Sequence, residues 1–326
     1  MKVEVKEHET KFANFIKDNN IITNVSISIV NHCNSNCIFC LLDKRKDTKG
    51  FIDKNLFLSI LHQLRDIGTL EIELTGGEPF LHPDIKYLLS NLYDYNFTIT
   101  ITTNGILVPD GLSSVLDSSN LKYIRVSIHG VNANTHDFLV RKKGAFKEVI
   151  NNLFRMKDMG VNLEVIFLVN RYNYKEVEDA YNFWKKHEIK IGFSYLIMGN
   201  NNDNLYLDSD DLKSSLKTSD KFLKDDIFYE SGCSAMRNSL FIDYNGNVMP
   251  CITFPFLLGN LKSTSLNKIM QKKIFLQLRN EITKYTDKLK NAGIHHCPGN
   301  NFVTTGNINK ANRYSNLLMQ IAGEIK

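Results

Sequence analysis

Residues 24–40 read NVSISIVNHCNSNCIFC, and this stretch joins a strand-forming segment to three closely spaced cysteines. Residues 24–30 are β-branched and alternating, which predicts a β-strand that runs directly into the cysteine loop. Cys33, Cys37 and Cys40 then fall within eight residues, a spacing that predicts a metal site. A structural zinc site needs a fourth ligand, which only the neighbouring His32 offers here. An iron–sulfur cube on three thiolates instead leaves one iron open to a substrate or cofactor.

Strand and helix patterns alternate six times from residue 24 onward. The predicted strands cover 24–30, 70–75, 97–103, 123–128, 162–169 and 190–196, and the predicted helices between them cover 53–67, 83–93, 111–116, 146–159 and 175–187. This alternation predicts an α/β fold whose parallel sheet has right-handed crossovers. Such a sheet either stays open or curls into part of a barrel.

The repeat breaks at the polar segment 198–204, MGNNNDN. Beyond it we predict a helix at 209–224, a hairpin at 238–250 and helices at 266–284 and beyond 310. Asn245-Gly246 lies between two alternating runs, which is a strong hairpin signal. We therefore divide the chain into an N-terminal extension (1–23), a core domain (24–200) and a C-terminal domain (201–326).

The composition excludes several classes of protein. Of the 326 residues, 43% are hydrophobic and 23% are charged, which excludes bulk disorder and collagen-like chains. No apolar run is long enough for a membrane helix or a signal peptide, so we expect a cytoplasmic protein whose six cysteines stay reduced. The net charge of +5 is mild, and basic residues cluster only at Lys44, Arg45 and Lys46, so nucleic-acid binding is not expected.

Two motifs together are similar to those of a known superfamily. The spacing C-x3-C-x2-C with Phe39 before the third cysteine, and Thr75-Gly-Gly-Glu-Pro79 at the end of the second strand, resemble the signatures of radical S-adenosylmethionine (SAM) enzymes. The resemblance covers roughly residues 24–200 and implies a partial (β/α)6 TIM-type barrel. It also implies a 4Fe-4S cluster on Cys33, Cys37 and Cys40 that binds SAM.

The same resemblance implies which side chains contact SAM. The Gly-rich turn would hold the SAM amino group through its backbone and Glu78, and glycine lets the backbone approach the ligand. Arg141 would bind the SAM carboxylate with two parallel hydrogen bonds; its alternative is a solvated loop charge. The implied cofactor-binding residues are Phe39, Gly76, Gly77, Glu78, Pro79, Thr103, Asn104, Ser127, Arg141 and Leu196, with Thr102 beside them. His129 is either a substrate contact or a satisfied histidine, and no catalytic residue is assigned.

A second set of cysteines lies in the C-terminal region. Cys233 precedes the predicted hairpin, Cys251 follows it, and Cys297 lies in HHCPG. This pattern resembles the SPASM or twitch domains of the superfamily and implies a small α+β twitch-like domain with one auxiliary Fe-S cluster, a 4Fe-4S cube by analogy. Its fourth iron would be open or bound by His295, His296 or the substrate. The alternative is three buried apolar cysteines.

The resemblance implies reductive cleavage of SAM to a 5'-deoxyadenosyl radical that takes hydrogen from a substrate. The substrate would be a ribosomally made peptide, or a small molecule as in aminoglycoside dehydrogenation and molybdopterin-precursor synthesis. Segment 1–23 is too short for the leader-binding domain of many peptide maturases, whereas the hairpin favours the peptide. The implied electron donor is a flavodoxin or ferredoxin. With all six cysteines as ligands, oxidation or bond formation is favoured over epimerisation with a Cys hydrogen donor.

An interpretation from another class is a zinc-stabilised binding module without catalysis. It would use Lys44, Arg45 and Lys46 and the net positive charge on an acidic partner. Metal content separates the two interpretations, because only the radical enzyme needs iron and sulfide.

Overall fold

The computed structural model describes residues 21–41, 49–112, 116, 120–198, 203–223, 233–291 and 297–325. Several predicted features lie outside the described residues: the extension up to residue 20, Lys44, Arg45, Lys46, His295 and His296. Half of the helix predicted at 111–116, namely residues 113–115, also lies outside them.

Six parallel strands form the core of the sheet, as the alternating pattern predicts. They are β1 (Asn24–Ser28), β2 (Glu71–Thr75), β3 (Thr98–Thr103), β4 (Leu121–Ser127), β5 (Leu163–Leu168) and β6 (Lys190–Ser194). Each pairs with its neighbours in chain order, and the order ends at β6 without a return to β1. Among the described strands the barrel is therefore not closed, as the prediction of a partial barrel requires.

Five helices connect these strands within the described part of the core. They are α1 (Lys54–Asp66), α2 (Ile85–Asp94), α3 (Ala133–Val140), α4 (Ala145–Asp158) and α5 (Val177–Lys186). Asp53 caps α1 as predicted, since its carboxylate accepts the N–H groups of Asn55 and Leu56. The sequence patterns missed α3, which Asn132 caps by accepting the N–H of Thr135.

The C-terminal region continues the same sheet. Strand β7 (Ser239–Ile242) pairs in parallel with β1, and the antiparallel strands β8 (Asn247–Met249) and β9 (Gly259–Asn260) follow it. The predicted hairpin turn is confirmed, with Gly246 at φ +80° and the Asp243 carboxylate accepting two turn N–H groups. The nine-stranded sheet thus runs without a break across the predicted domain boundary.

Five further helices are described in this region: α6 (Ser209–Leu223), α7 (Leu266–Met270), α8 (Lys273–Asn291), α9 (Pro298–Thr305) and α10 (Arg313–Ile325). The single helix predicted at 266–284 is wrong, because the chain turns at residues 271–272 between α7 and α8. The patterns also missed α9. None of the described helices is long and apolar enough to cross a membrane.

The two faces of the sheet differ in chemistry because side chains alternate along each strand. Apolar residues such as Ile27, Leu74 and Ile101 are fully buried in the core. On the other face Glu73 accepts hydroxyl hydrogen bonds from Ser26 (2.5 Å) and Thr102 (2.6 Å) on the two flanking strands. That face is therefore polar, and Thr102 contacts Glu73 rather than the cysteine loop.

Candidate functional site

The cysteine loop follows β1 and is held from one side by α3. The N–H groups of Asn36 and Ile38 donate to the carbonyl oxygens of Val140 (3.0 Å) and Leu139 (2.9 Å). These two bonds flank Cys37. The unsatisfied carbonyls at the end of a helix thus serve as anchors for the loop.

The three thiols of this loop lie together and are half-buried. The Ser35 hydroxyl bridges two of them, at 3.3 Å from the sulfur of Cys33 and 3.5 Å from that of Cys37. Burial raises the pKa of Cys37 to about 11, and the neighbouring Cys40 and Cys33 thiols add to the shift. Ionisation of the Cys37 thiol is therefore disfavoured, a tendency that bound iron would reverse by taking the thiolate as a ligand.

The Gly-rich turn after β2 packs directly on the backbone of the cysteine loop. The N–H groups of Gly77 and Glu78 donate to the carbonyl oxygens of Val30 (2.9 Å) and His32 (3.0 Å). A Cβ on Gly77 would lie 2.0 Å from the His32 oxygen, and one on Gly76, at φ +146°, would lie 2.3 Å from that of Val30. Both glycines are therefore required for this close approach, a reason additional to the predicted approach to SAM.

Glu78 is fully buried, and its carboxylate faces other residues of the protein. It accepts hydrogen bonds from the N–H of Phe80 (3.0 Å), the hydroxyl of Thr103 (2.7 Å) and the N–H of Asn104 (2.7 Å). Burial raises the pKa of Glu78 to about 7, against the opposing effect of these three donors. The side chain ties the ends of β2 and β3 together, and its contact with the SAM amino group stays a prediction.

Asn104 carries this connection to the cysteines. Its side-chain amide N–H groups donate to the sulfur of Cys33 (3.2 Å) and to the side-chain oxygen of Asn34 (2.7 Å), while its own side-chain oxygen accepts the backbone N–H of Ile106. The end of β3 therefore positions the first cysteine, a contact that the sequence patterns did not reveal.

His129 is buried, and its Nδ1 has a hydrogen-bond partner in the described structure. Its Nδ1 accepts the N–H of Leu168 (3.0 Å), so the proton of the neutral ring lies on Nε2. Burial lowers the pKa of His129 to about 3. Its ring packs edge-on against Phe39, with 4.7 Å between the two ring centroids. His129 thus supports the cysteine loop through Phe39. The backbone N–H of His129 donates to Nδ1 of the buried His136, a residue that the sequence patterns did not single out.

The remaining predicted SAM contacts lie at the same edge of the sheet. Ser127 ends β4, half-buried Leu196 lies two residues beyond β6, and buried Pro79 begins a short 3-10 turn. Arg141 directly follows α3 in the left-handed region, with φ 50°, and its side chain is exposed. Within the described ranges no hydrogen bond or ion pair engages its guanidinium. Contact of these residues with SAM stays a prediction.

The second set of cysteines also converges. The Thr253 hydroxyl lies 3.0 Å from the sulfur of Cys251 and 3.4 Å from that of Cys297, and burial together with the two other thiols raises the pKa of Cys233 to about 12. Cys297 caps α9 by accepting the N–H of Asn300. A Cβ on Gly299 would lie 2.6 Å from the Thr253 hydroxyl oxygen, so glycine is needed there.

Both triads offer the donor set that an iron–sulfur cluster uses, namely three convergent thiols in largely apolar, buried surroundings. In the described part of the chain, no group of three His, Cys, Asp or Glu side chains is arranged as a site for a single metal ion. His295 and His296, the predicted ligands of the auxiliary cluster, fall outside the described residues. The identity of the fourth ligand is therefore not assigned.

Known families match both parts of the chain. Residues 27–184 match the radical SAM superfamily, and residues 233–299 match SPASM, an iron-sulfur cluster-binding domain. The first triad lies in the former range and the second triad in the latter.

Two curated relatives and one solved structure illustrate the similarity. The antilisterial bacteriocin subtilosin biosynthesis protein AlbA of Bacillus subtilis is 27% identical over 262 residues, 75% of this chain and 58% of that protein. A probable GTP 3',8-cyclase of Methanothermobacter thermautotrophicus is 29% identical over 168 residues, 51% of this chain and 54% of the cyclase. The chain thus spans just over half the length of these relatives.

The solved structure is that of native anSMEcpe with bound AdoMet and Cp18Cys peptide. It superposes with a TM-score of 0.70 at 17% identity, covering 93% of this chain and 99% of that one. This likeness concerns the fold, and it includes the C-terminal region.

Proposed function

This chain belongs to the radical SAM superfamily and carries a SPASM iron-sulfur cluster-binding domain, and we propose that it modifies a ribosomally synthesised peptide by oxidation or by forming a C–C or C–heteroatom bond. When bound, the first cluster supplies the electron that cleaves SAM to methionine and a 5'-deoxyadenosyl radical, which removes a hydrogen atom from the substrate. The protein's own contribution is to bind, orient and shield these groups.

The roles of the individual residues follow from their positions. Cys33, Cys37 and Cys40 hold the first cluster, on a loop that α3 and the Gly-rich turn keep in place. The backbone of the turn at Gly77 receives the SAM amino group. Arg141, exposed beside the cysteine loop, receives the SAM carboxylate.

One observation supports this chemistry above the others. A carbon atom on Gly77 would be 2.0 Å from the His32 oxygen, so the turn and the cysteine loop form one interlocked unit. A solvated cysteine loop would need no such packing. The unit presents backbone groups and thiols at the same edge of the sheet, where ligands bind in parallel α/β folds.

The peptide substrate is supported by the extent of the sequence similarity. The similarity to the subtilosin biosynthesis protein extends over 75% of this chain, whereas that to the GTP cyclase extends over 51%. The more extensive similarity favours the peptide substrate. The cyclase relatives favour the second candidate, a small-molecule substrate such as a nucleotide.

The assignment of all six cysteines as ligands bears on the reaction type. No thiol then remains to return a hydrogen atom to a substrate radical, so the product radical must lose an electron or form a bond. We therefore expect the peptide to lose two hydrogens overall.

The test is anaerobic reconstitution with iron and sulfide, reduction with dithionite, and measurement of 5'-deoxyadenosine from SAM. Peptides encoded beside the gene and GTP are then offered separately. Loss of two hydrogens from a peptide supports the proposal; turnover of GTP without any peptide supports the second candidate. Absence of 5'-deoxyadenosine from an iron-loaded protein would contradict both, and a colourless zinc protein would restore the binding-module interpretation.

A further inference from the structure

The loop after α3 and the first turn of α4 form an exposed basic surface. We name it the basic ridge and define it as Lys142, Lys143 and Lys147, which directly follow the SAM-contact candidate Arg141. Segment 137–148 holds these three lysines, Arg141 and two acids, Asp137 and Glu148. The ridge therefore carries a net positive charge.

The two acids are already engaged within this segment. The Glu148 carboxylate lies 3.5 Å from the Lys142 ammonium. The Asp137 carboxylate accepts the N–H groups of Gly144 and Phe146. Lys143 and Lys147 are exposed and have no ion-pair partner in the described ranges of the chain.

The ridge is connected directly to the cysteine loop. Arg141 is the residue after Val140, whose carbonyl oxygen accepts the N–H of Asn36 at 3.0 Å. Asn36 and Ile38, both held by α3, are the neighbours of Cys37. A short path of covalent and hydrogen bonds thus runs from the ridge to a thiol of the first triad.

An exposed aromatic pair adjoins the ridge. Phe138, one turn before Arg141, is 50% exposed, and its ring centroid lies 4.9 Å from that of Tyr172, which is 43% exposed. Aromatic side chains with a charged rim are the composition of protein–protein interfaces.

We propose that the basic ridge, with the Phe138–Tyr172 pair at its edge, is the docking surface for an acidic one-electron carrier protein. The inference rests on the proposed function, because SAM cleavage needs one electron per turnover. The carrier is oxidised by one electron, and one C–S bond of SAM is cleaved to methionine and the 5'-deoxyadenosyl radical. The charge of the ridge selects an acidic partner, and its connection to Cys37 selects a partner that delivers electrons to the thiol loop.

The test compares two electron donors on reconstituted full-length enzyme. The first is flavodoxin kept reduced by its NADPH-dependent reductase, and the second is dithionite, which needs no docking surface. The variant is Lys143→Glu/Lys147→Glu, and the matched control is Lys268→Glu/Lys273→Glu, which makes the same charge change at exposed positions on α7 and α8.

With flavodoxin below saturation, we expect the ridge variant to form 5'-deoxyadenosine about tenfold more slowly than wild type and to lose most of the salt dependence. With dithionite it should match wild type in rate and iron content. Calorimetric binding of oxidised flavodoxin should weaken in parallel, which tests the surface without turnover.

Equal loss in the control variant, or an unchanged rate and affinity with flavodoxin, would overturn the inference. Loss with dithionite as well would assign the ridge to the substrate or SAM site and also overturn it. Failure of wild type to cleave SAM with dithionite would instead contradict the proposed function.

Discussion

The side-chain amide of Asn104 lies 3.2 Å from the sulfur of Cys33, although the two residues are 71 positions apart in the chain. The contact joins the end of β3 to the first cysteine of the loop after β1. Glu78 holds the backbone of the same asparagine. The three β-strand ends are thereby locked into one arrangement around the thiols.

Replacement of Asn104 by Ala should lower the reduction potential of the first cluster. Hydrogen bonds to cluster sulfurs raise that potential, because they stabilise the more negative reduced state. A bond worth about 0.5–1.5 kcal/mol corresponds to a shift of roughly 20–65 mV for one electron. An EPR-monitored redox titration measures it, with Asn91→Ala at a half-buried position of α2 as control. Equal potentials would show that the amide does not act on the cluster.

Replacement of Cys37 by Ala should abolish formation of 5'-deoxyadenosine. A cube with only two protein thiolates does not hold its iron against exchange, and this cluster is the electron source. Ser35→Ala, two residues earlier, removes a hydroxyl and no ligand, so it should retain cleavage. Cleavage by the Cys37 variant at the wild-type rate would refute the assignment of the loop.

The triple variant with Cys233, Cys251 and Cys297 replaced by Ala should lose half of the iron. Two cubes predict about eight iron atoms in wild type and about four in the variant. The variant should still cleave SAM, because the first triad is intact, but it should form no modified peptide. Full iron content in the triple variant would contradict the auxiliary cluster. A single replacement that keeps iron but stops hydrogen return would identify a Cys donor.

Arg141→Ala should weaken SAM binding roughly 10- to 150-fold, the effect of losing a charge-assisted pair worth about 1.5–3 kcal/mol. Alanine keeps the Cβ, so the strain at φ 50° is the same in both proteins. Lys143→Ala in the same loop is the matched control and should bind SAM normally. Equilibrium binding of SAM to the reconstituted enzyme measures this effect. Unchanged affinity in the Arg141 variant would favour the alternative that Arg141 is a solvated loop charge.

His136 should make the protein less stable as the pH falls below about 6.5. Burial lowers its pKa to about 4, so the unfolded chain binds a proton that the folded protein excludes. At pH 5.5 the free energy of unfolding is lower by about 1 kcal/mol. Well above the pKa of the unfolded chain, about 6.5, this decrease disappears. His136→Asn keeps an acceptor for the N–H of His129 and should show a shallower decline. Urea unfolding from pH 7.5 to 5.5 tests this against the exposed His62→Asn; identical slopes in all three proteins would contradict it.

The sequence by itself determined the features that depend on local patterns. Alternating β-branched residues predicted β1 to β6, Asp53 predicted the start of α1, and Asn245-Gly246 predicted the hairpin turn. These signals lie within one element, where backbone preference and periodicity suffice. The spacing of Cys33, Cys37 and Cys40 likewise predicted the first triad, whereas the second triad was implied by the resemblance to SPASM and twitch domains.

Only the tertiary structure decided which distant groups meet. The pairing of β1 with β7 joins the two predicted domains into one sheet, and the α3 carbonyls anchor the cysteine loop. The Glu78 carboxylate points at β3, and His129 is buried on Phe39, neither of which a motif discloses. Such contacts arise when packing brings strand ends together and buried polar groups must find partners, a condition set by the whole fold.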